Sequence, residues 1–473
     1  MTPAGRPPGQ IKIWATQQSS VVSPLERINA MKDFFGDLLL LNTPAAEILY
    51  QEVKDLPIVD YHCHLNENEL RNNHKFANLG ELWLAADHYK WRAMRLCGVD
   101  EKYITGDASY YEKYLKYAEI FPLLCGGPLY YWTQLELKLL FGITDPLCSE
   151  NAEKIWAIAN EALQTLDANA ILKKFNVEYV ATTDDPASAL AAHGMCGNTN
   201  VRPTFRPDFV LNMDEAAIAR LEGAVGYSIQ TLADVKKALE ERLAYFLSKG
   251  CCIADHGMDF LPLADCGEAR AVELFARRSE LTFEEKQELF SHLMYFMAAL
   301  YAKNGMVMQL HFATFRNVNG AMFAKCGRDA GFDIMRGAVD TDRLIPFFDT
   351  LAQRESLPKT VLYSLNPACV PSLATLSGAF PNVRIGAAWW FSDTVEGIRR
   401  QLETVAEYAV LGTNLGMLTD SRSLASYVRF DFFRRILADF VGRYVERGEY
   451  DLESAKKLMY AVCYGNVKAF LNL

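Results

Sequence analysis

Short apolar runs alternate with longer stretches of helical spacing along the chain after residue 170. The runs are rich in β-branched residues and end in polar side chains, whereas stretches such as 233–250 and 283–305 repeat apolar residues at helical spacing and end in Gly. With the run at 58–64, eight candidate strands can be counted: 58–64, 177–184, 201–206, 251–256, 306–312, 360–366, 383–388 and 415–420. Alternating strands and helices predict an α/β fold with parallel strands, and eight such units predict a closed (β/α)8 TIM-type barrel.

One connection is far longer than the others and suggests how the domains are organised. More than a hundred residues separate the first candidate strand from the second, and they are rich in aromatic residues and in helix-like patterns. A connection of that length needs a small core of its own, so we expect residues 65–170 to form a helical insertion over the barrel mouth. The barrel then comprises 31–56 and 171–473, with its first strand at 57–64. Residues 1–30 are rich in Pro, Gly, Gln and Ser, and we expect a disordered extension there.

Composition and charge exclude several classes of partner. The 473 residues carry a net charge of −10, which offers no basic field for nucleic acid or anionic lipid, so an anionic ligand must meet a local group of arginines. No apolar run approaches the ~18 residues of a membrane span. The eleven Cys are scattered and contain no CxxC pair. We therefore expect reduced thiols and a cytoplasmic protein.

The stretch PIVDYHCHL, at 57–65, places two imidazoles at the end of the first candidate strand. Strand geometry puts His62 and His64 on one face about 7 Å apart, close enough to bind one metal ion after a modest twist. The alternative is a pair of hydrogen-bonded histidines without a ligand. The other strand ends favour a site, because they also carry polar residues: Asp184, Asp185, Arg206, Asp255, His256, Gln309, His311, Asn366, Trp389, Trp390, Asp420 and Arg422.

A carboxylate completes the predicted metal site. In a closed barrel the last strand lies beside the first, so Asp420 is expected next to His62 and His64. Two neutral imidazoles and a carboxylate are a standard set for a divalent ion with open positions. We therefore predict a site for one divalent metal ion, with zinc expected and manganese as the alternative.

Many short motifs of the chain, in one order, resemble the uronate isomerase family of the amidohydrolase superfamily. They cover nearly everything from about residue 31 onward: PIVDYHCHL, ELWLAADHYKWRAMR, YITGDAS, FGI, TTDDP, PTFRPD, ADHG, MQLHF, RNVNG, GFD, LYSLNP, WWFSD and GMLTDSRS. The resemblance implies a cytosolic enzyme that interconverts D-glucuronate with D-fructuronate and D-galacturonate with D-tagaturonate. It also implies a hexuronate as the substrate.

The chain departs from the family pattern after the fifth strand. The family pattern there resembles HxGALRNNN, whereas this chain has HFATFRNVN, with Thr314, Phe315 and Val318 substituted and His311 and Arg316 retained. The loop packing is therefore expected to differ while the site is kept. No Lys or Glu closes the fourth strand as the superfamily's metal-bridging ligand would, which favours one metal ion over two.

An aldose-ketose isomerase needs a base, stabilisation of the developing oxyanion and a grip on the remote carboxylate. Asp420 is the expected base in addition to its role as a ligand. Helical spacing alone makes Tyr89 a core residue, but the resemblance makes it a proton donor or a contact to a substrate hydroxyl. His311 is expected to bind either the metal ion or a hydrogen-bonding partner.

The substrate carboxylate is expected to meet arginine, because guanidinium offers a planar pair of donors. Arg422 and Arg206 are the first candidates and Arg316 the third. Asp255 is expected to orient ligands or substrate hydroxyls. Trp390 is the expected aromatic wall; since neighbouring side chains of a strand point to opposite faces, we expect only one of the two adjacent tryptophans to touch the sugar.

Two other functions compete with the isomerase. A metal-dependent hydrolase of the amidohydrolase type could use the same ligands, but the arginines at the strand ends favour a sugar-acid isomerase. A catalytically inactive sugar-acid binder is the third class, and the presence of the full predicted ligand set argues against it. We also expect a homo-oligomer that binds neither nucleic acid nor membranes.

Overall fold

The computed structural model describes residues 32–337 and 339–473. The predicted extension at 1–30 lies outside the described residues. A first unit ends at Leu39, and its described part consists of turns in which the Gly36 amide donates to the Asp33 carbonyl (3.0 Å) and the Leu39 amide to the Gly36 carbonyl (3.1 Å). All helices and strands named below belong to the second unit, Leu40–Leu473.

Ten strands form three sheets in the described chain: β1 (Ile58–Asp60), β2 (Val177–Ala181), β3 (Gly194–Cys196), β4 (Thr199–Arg202), β5 (Ile253–Gly257), β6 (Val307–Phe312), β7 (Thr314–Phe315), β8 (Ile334–Met335), β9 (Lys359–Ser364) and β10 (Val383–Ile385). The first sheet has the order β1-β2-β4-β3 and is parallel except for β3. The second, β10-β9-β6-β5, is parallel throughout. β7 pairs with β8 in a small antiparallel sheet. Two of the substituted residues, Thr314 and Phe315, form β7.

The described helices lie mostly between successive strands. They are α1 (Pro44–Val53), α2 (Glu67–Arg71), α3 (Leu79–Leu84), α4 (His88–Leu96), α5 (Tyr110–Ile120), α6 (Pro128–Phe141), α7 (Ala152–Leu163), α8 (Ala168–Lys174), α9 (Asp208–Leu211), α10 (Glu215–Val225), α11 (Leu232–Ser248), α12 (Glu268–Ala276), α13 (Phe283–Lys303), α14 (Gly320–Cys326), α15 (Leu344–Gln353), α16 (Val370–Ala379), α17 (Val395–Tyr408), α18 (Val428–Glu446), α19 (Leu452–Tyr460) and α20 (Asn466–Leu471). The predicted α/β fold with parallel strands is confirmed.

Local sequence explains where the long helices begin. α11 and α13, predicted at 233–250 and 283–305, each start with a capping box, formed by Thr231 with Asp234 and by Thr282 with Glu285. In a capping box the two side chains satisfy amides that have no partner within the helix. The apolar faces of both helices pack in the main buried cluster together with β5 and β6.

Hydrogen bonds of two individual residues, Phe205 and Gln309, connect the first sheet with the second. Phe205 is fully buried between them: its amide donates to the Ile253 carbonyl (3.0 Å), and its own carbonyl accepts from the Asp255 amide (3.0 Å). A second connection runs from β6, where Gln309 Nε2 donates to the Tyr61 carbonyl (3.0 Å). Polar side chains in the strands are therefore used to bind neighbouring backbone.

Several predicted strands are shorter than expected, and one is wrong. The run at 58–64 ends as a strand at Asp60, and the run at 383–388 ends at Ile385. The run at 415–420 is no regular strand, because Gly416 (φ +71°) and Asp420 (φ +45°) leave the extended region. Its end still bonds beside β1: the Asp420 amide donates to the His62 carbonyl (3.1 Å).

The stretch ELWLAADHYKWRAMR, whose spacing suits one helix, forms two. Asp87 stands between α3 and α4, and its side chain accepts from the amides of Tyr89 and Lys90. An aspartate in this position starts a new helix, because it satisfies the first free amides. His88 is therefore the first residue of α4.

All eleven cysteines carry free thiols, as expected. Within 32–337 and 339–473, no helix has the length and apolar character needed to cross a membrane.

Candidate active site

A partly open cavity lies where residues that follow β1 and β10 meet the end of β6. It is lined by His62, His64, His88, Arg206, His311, Arg316, Asp329, Trp389, Trp390, Asp420 and Arg422. Of the residues given a catalytic, binding or ligand role from the sequence, all but Asp255 and Tyr89 line this cavity. The predicted strand-end residues Asp184, Asp185, His256, Gln309 and Asn366 do not line it. Residues from opposite ends of the chain, such as His62 and Asp420, are thus brought together.

His62, His64 and Asp420 form a compact group. Oδ1 of Asp420 lies 3.2 Å from His62 Nε2 and 3.1 Å from His64 Nε2, and the two imidazole centroids are 5.2 Å apart. The other carboxylate oxygen, Oδ2, accepts a hydrogen bond of 2.8 Å from Trp389 Nε1. His62 is buried, whereas His64 and Asp420 keep some exposure to the cavity. The two histidines therefore meet at one carboxylate, although the strand from which this was predicted ends before them, at Asp60.

The protonation states of Asp420 and His64 suit metal binding. For His62, burial would lower the pKa but is outweighed by Asp255 and Asp420, which raise it. Burial alone would raise the pKa of Asp420, but the neighbouring His62 and His64 hold that pKa well below its usual range. Burial lowers the pKa of His64 to about 4. An ionised carboxylate and a neutral imidazole are the forms in which these side chains bind metal ions.

Asp255 is fully buried on β5 and close to three cationic or imidazole groups. Its carboxylate oxygens lie 3.1 Å from Arg206 Nη1, 2.7 Å from His311 Nδ1 and 3.9 Å from His62 Nδ1. Burial would raise the pKa of Asp255, but Arg206 and then His311 hold it well below its usual range. Asp255 is therefore an ionised anchor for Arg206 and His311 and does not itself line the cavity.

The donor atoms fit a divalent cation. His62, His64 and Asp420 offer ligand atoms within 4.8 Å of one another, and so do His62, Asp255 and His311. Nε2 of His311 and Nδ1 of His62 are buried without a hydrogen-bond partner, whereas the carboxylate oxygens of Asp255 and Nδ1 of His311 have only the ionic contacts given above. Buried polar atoms normally have partners, so an arrangement of this kind is typical of a cation site. A candidate His/Asp metal site is present.

Two arginines of the cavity lining hold carboxylates of the chain. Arg422 donates through Nη2 to Asp329 (3.1 Å) and through Nη1 to Nδ1 of His88 (2.9 Å). Arg316 donates through Nη1 to Asp333 (3.0 Å). Both guanidinium groups line the cavity and are partly exposed. They offer a site for an anionic group of a ligand.

Sequence reasoning missed three cavity residues: His88, Trp389 as a contact of Asp420, and Asp329. His88 adjoins Tyr89 in the chain, and burial followed by Arg422 lowers the pKa of His88 to about 4. The signal that could have found it was its place directly after the helix cap Asp87. Asp329 carries no signal in the sequence, because its contact with Arg422 spans 93 positions.

Trp389 and Trp390 were expected to point to opposite faces of a strand, but they do not lie in a strand. The strand ends at Ile385, and 390–392 form a short 3-10 helix that Trp390 enters with φ +50°. Both indole rings therefore line the cavity.

Tyr89 lies beside the cavity and does not line it. Its ring is 6.2 Å from the Trp390 ring and 5.2 Å from the guanidinium carbon of Arg429, and it faces a neighbouring apolar groove. Burial, and then Asp420, raise the pKa of Tyr89 well above its usual range, so its hydroxyl stays protonated. His256 is likewise away from the cavity, bound to Asp208 (2.8 Å).

Comparisons with known proteins identify the family of this chain. A sequence model of the glucuronate isomerase family matches residues 31–471. The chain is 40% identical over 461 residues to a uronate isomerase of Caldicellulosiruptor saccharolyticus, which covers 93% of this chain and 99% of that relative. It is 41% identical over 459 residues to a uronate isomerase of Caldanaerobacter subterraneus, with 92% and 98% covered.

A solved structure is similar over the same range. The crystal structure of a uronate isomerase from Thermotoga maritima matches with a TM-score of 0.90 and 33% identity, over 93% of this chain and 100% of the other. The resemblance predicted from the motifs is confirmed, and with it the isomerase class in preference to the hydrolase. From 31 to 471, this chain belongs to the glucuronate isomerase family.

Proposed function

We propose that this enzyme interconverts D-glucuronate with D-fructuronate and D-galacturonate with D-tagaturonate. One observation carries the proposal: a single cavity has a set of metal-binding side chains, His62, His64 and Asp420, and guanidinium groups from Arg422 and Arg316. A hexuronate in its open-chain form carries a carbonyl and hydroxyl at one end and a carboxylate at the other. The two ends of the substrate match these two groups in charge and chemistry.

We propose a closed (β/α)8 barrel as the architecture of this enzyme. Its support is the continuous chain of parallel contacts from β1 through β2, β4, Phe205 and β5 to β6, β9 and β10. Further support comes from the bonds between 418–422 and the end of β1, where the His64 amide donates to the Ser421 carbonyl (2.9 Å). In this arrangement 40–56 and 171–473 build the barrel, with β1 as its first strand. Residues 65–170 are a helical insertion over the mouth, a proposal supported by His88, which α4 contributes to the cavity.

One divalent ion would be held by His62, His64 and Asp420, with zinc as the expected ion and manganese as the alternative. When bound, such an ion withdraws electron density from the carbonyl and hydroxyl oxygens of the substrate. A single ion is proposed because Arg206 already places positive charge 3.1 Å from Asp255, which disfavours a second cation there.

The remaining steps belong to the side chains. Arg422, assisted by Arg316 and Arg206, binds the substrate carboxylate through charge-assisted hydrogen bonds. Asp420, kept ionised by its low pKa, takes the proton from C2 and returns it to C1 through an enediolate of the sugar. The hydroxyl proton moves from O2 to O1, and Tyr89 is the proposed relay: its hydroxyl, which stays protonated, gives its proton to O1 and takes the proton of O2 in return.

Four further side chains orient these groups or the substrate. His311 and Asp255 hold His62 and Arg206 in place, since the His311 ring stacks on that of His62 and Asp255 pairs with Arg206. Trp390 covers the sugar as an aromatic wall. Trp389 restrains Asp420 through its hydrogen bond to Oδ2.

Turnover in heavy water followed by NMR of the ketose tests both the reaction and the base. A proton route through Asp420 predicts deuterium at C1 of the product, since a carboxylic acid exchanges its proton with solvent. Strict retention of the C2 hydrogen at C1 would instead indicate hydride transfer or a fully shielded base, and would remove Asp420 from this role. No ketose from either hexuronate would contradict the proposed substrates.

We further propose that the enzyme is a cytoplasmic homo-oligomer that binds neither nucleic acid nor membranes. The net charge of −10 and the free thiols support this proposal. Light scattering coupled to size-exclusion chromatography measures the number of subunits; a monomer at working concentration would contradict it.

A further inference from the structure

Asp329 places a carboxylate of the chain on the proposed substrate clamp. Arg422 donates to Asp329 Oδ2 (3.1 Å) from one terminal nitrogen and to His88 Nδ1 (2.9 Å) from the other. Both terminal nitrogens of the guanidinium are thus engaged. These are the two donors that a bound carboxylate would use in a two-pronged contact.

The segment that carries Asp329 is held in place by helix α4. Arg92 donates to the carbonyls of Gly331 (3.2 Å) and Asp333 (3.1 Å), and Arg95 donates to the carbonyl of Ala330. Gly331 has φ +91°, and a Cβ there would lie 2.9 Å from the His88 carbonyl, so only glycine allows this close approach. The position of Asp329 is therefore built into the fold.

Its backbone suits this position. Asp329 has φ +56°, a left-handed conformation that Asp and Asn tolerate better than most residues. Its side chain is 54% exposed and that of Arg422 is 28% exposed. A pair with this exposure is weak enough to be displaced by a ligand that makes additional contacts in the cavity.

We propose that Asp329 is an internal competitor: in the substrate-free enzyme it occupies Arg422, and the hexuronate carboxylate displaces it. This inference rests on the proposed function, because it assigns Arg422 to the substrate carboxylate. An Arg422 without a partner would attract any small anion of the cell. A hexuronate overcomes the competition because it also binds at the His62, His64 and Asp420 end, whereas a simple anion has no second contact.

The decisive variant is Asp329→Asn, which keeps the size and the left-handed preference of the residue and removes its charge. Loss of a partly exposed ion pair predicts a KM for D-glucuronate about two- to fivefold lower than in the parent enzyme. Asp329→Glu restores the charge and should return KM toward the parent value. Asp145→Asn, which removes the exposed partner of Lys154, is the matched control and should leave KM unchanged.

The same variants are titrated calorimetrically with galactarate, a sugar diacid that has no carbonyl to isomerise. Tighter galactarate binding by Asp329→Asn, by a similar factor, supports the inference. An unchanged or raised KM and dissociation constant in Asp329→Asn would overturn the inference. If Asp329 bound substrate hydroxyls or only supported the loop, its replacement would leave binding unchanged or weaken it. If the parent turns over no hexuronate yet galactarate binds Asp329→Asn more tightly, the proposed function fails and the competitor role stands.

Discussion

The two ends of the cavity differ in how their polar atoms are satisfied. At one end, which we call the imidazole cluster (His62, His64, Asp255, His311 and Asp420), several buried nitrogens and oxygens have no hydrogen-bond partner or have only ionic contacts. At the other end, the arginine rim (Arg316 and Arg422), each guanidinium already binds a carboxylate of the chain. The first end depends on a ligand to complete its bonds, whereas the second carries a replaceable substitute from within the protein.

The largest effect is expected at the imidazole cluster. The double variant His62→Ala, His64→Ala removes two of three proposed ligands, so metal and activity should be lost together, with turnover down by about a thousandfold or more. Elemental analysis and the isomerase assay measure the two quantities. His74→Ala, at a histidine bound to Glu81 outside the cavity, is the control. A full complement of metal in the double variant would disprove the ligand assignment.

A smaller effect is expected at the arginine rim. Arg422→Met removes charge-assisted hydrogen bonds worth roughly 1.5 to 3 kcal/mol, which lowers kcat/KM for hexuronates by about tenfold to over a hundredfold. The loss should be confined to the acid, because a neutral aldose has no carboxylate. Arg343→Met, at an exposed arginine near Asp340, is the control. If the variant discriminates D-glucuronate from a neutral aldose as well as the parent does, Arg422 is not the clamp.

Between the two ends, Trp389 supports the proposed base. Trp389→Phe removes the 2.8 Å hydrogen bond to Asp420 Oδ2 and keeps most of the ring, so kcat should fall by about tenfold. Trp91→Phe removes a similar bond, of 2.9 Å, to the Leu84 carbonyl and serves as the control. Equal losses in both variants would show that the effect reflects general packing and not Asp420.

The smallest effect concerns the support of the arginine rim. Glu101 pairs with Arg95 (2.7 Å), and burial, which would raise its pKa, is outweighed by Arg95 and Thr105, which lower the pKa of Glu101 to about 2. Because this folded-state pKa lies below the usual value near 4.5, the pair stabilises the fold above pH 4.5 and loses its effect as the pH falls toward 2.

Glu101→Gln should therefore reduce the free energy of unfolding by on the order of 1 kcal/mol at pH 7, and by less at pH 3. Urea unfolding at both values measures the difference. Glu119→Gln, in an exposed pair with Lys116, should change it by no more than about 0.5 kcal/mol at pH 7. A loss of the same size at pH 3 and pH 7 would contradict the role given to the Glu101 charge.

The sequence allowed the α/β fold and the imidazole cluster to be predicted for a physical reason. Strand periodicity predicted that His62 and His64 would share a face, and they do meet at Asp420 although β1 ends before them, at Asp60. Asp420 follows an apolar run that ends beside theirs. The partners of the arginines could not be predicted in this way. Asp329 lies in a loop, and its contact with Arg422 depends on the left-handed backbone at 329 and on Gly331, neither of which periodicity encodes.

The same reasoning explains the two errors. The run at 415–420 has the composition of a strand, but Gly416 turns the chain against the Val462 carbonyl, which a Cβ would approach to 2.3 Å. The tryptophans follow a strand that ends early, so alternation no longer applies to them. In both places the requirements of tertiary packing overrode a local pattern.

Helix α4 has a further consequence for how the cavity exchanges its contents. His88, Arg92 and Arg95 lie at intervals of four and three residues, so one stripe of this helix contacts both Arg422 and the backbone of 330–333. The helix and that loop should consequently travel as one rigid piece when a sugar enters or leaves. Deuterium uptake at the amides of α4 should then change together with uptake at the amides of 330–333 when a sugar binds, because the two segments move as one unit.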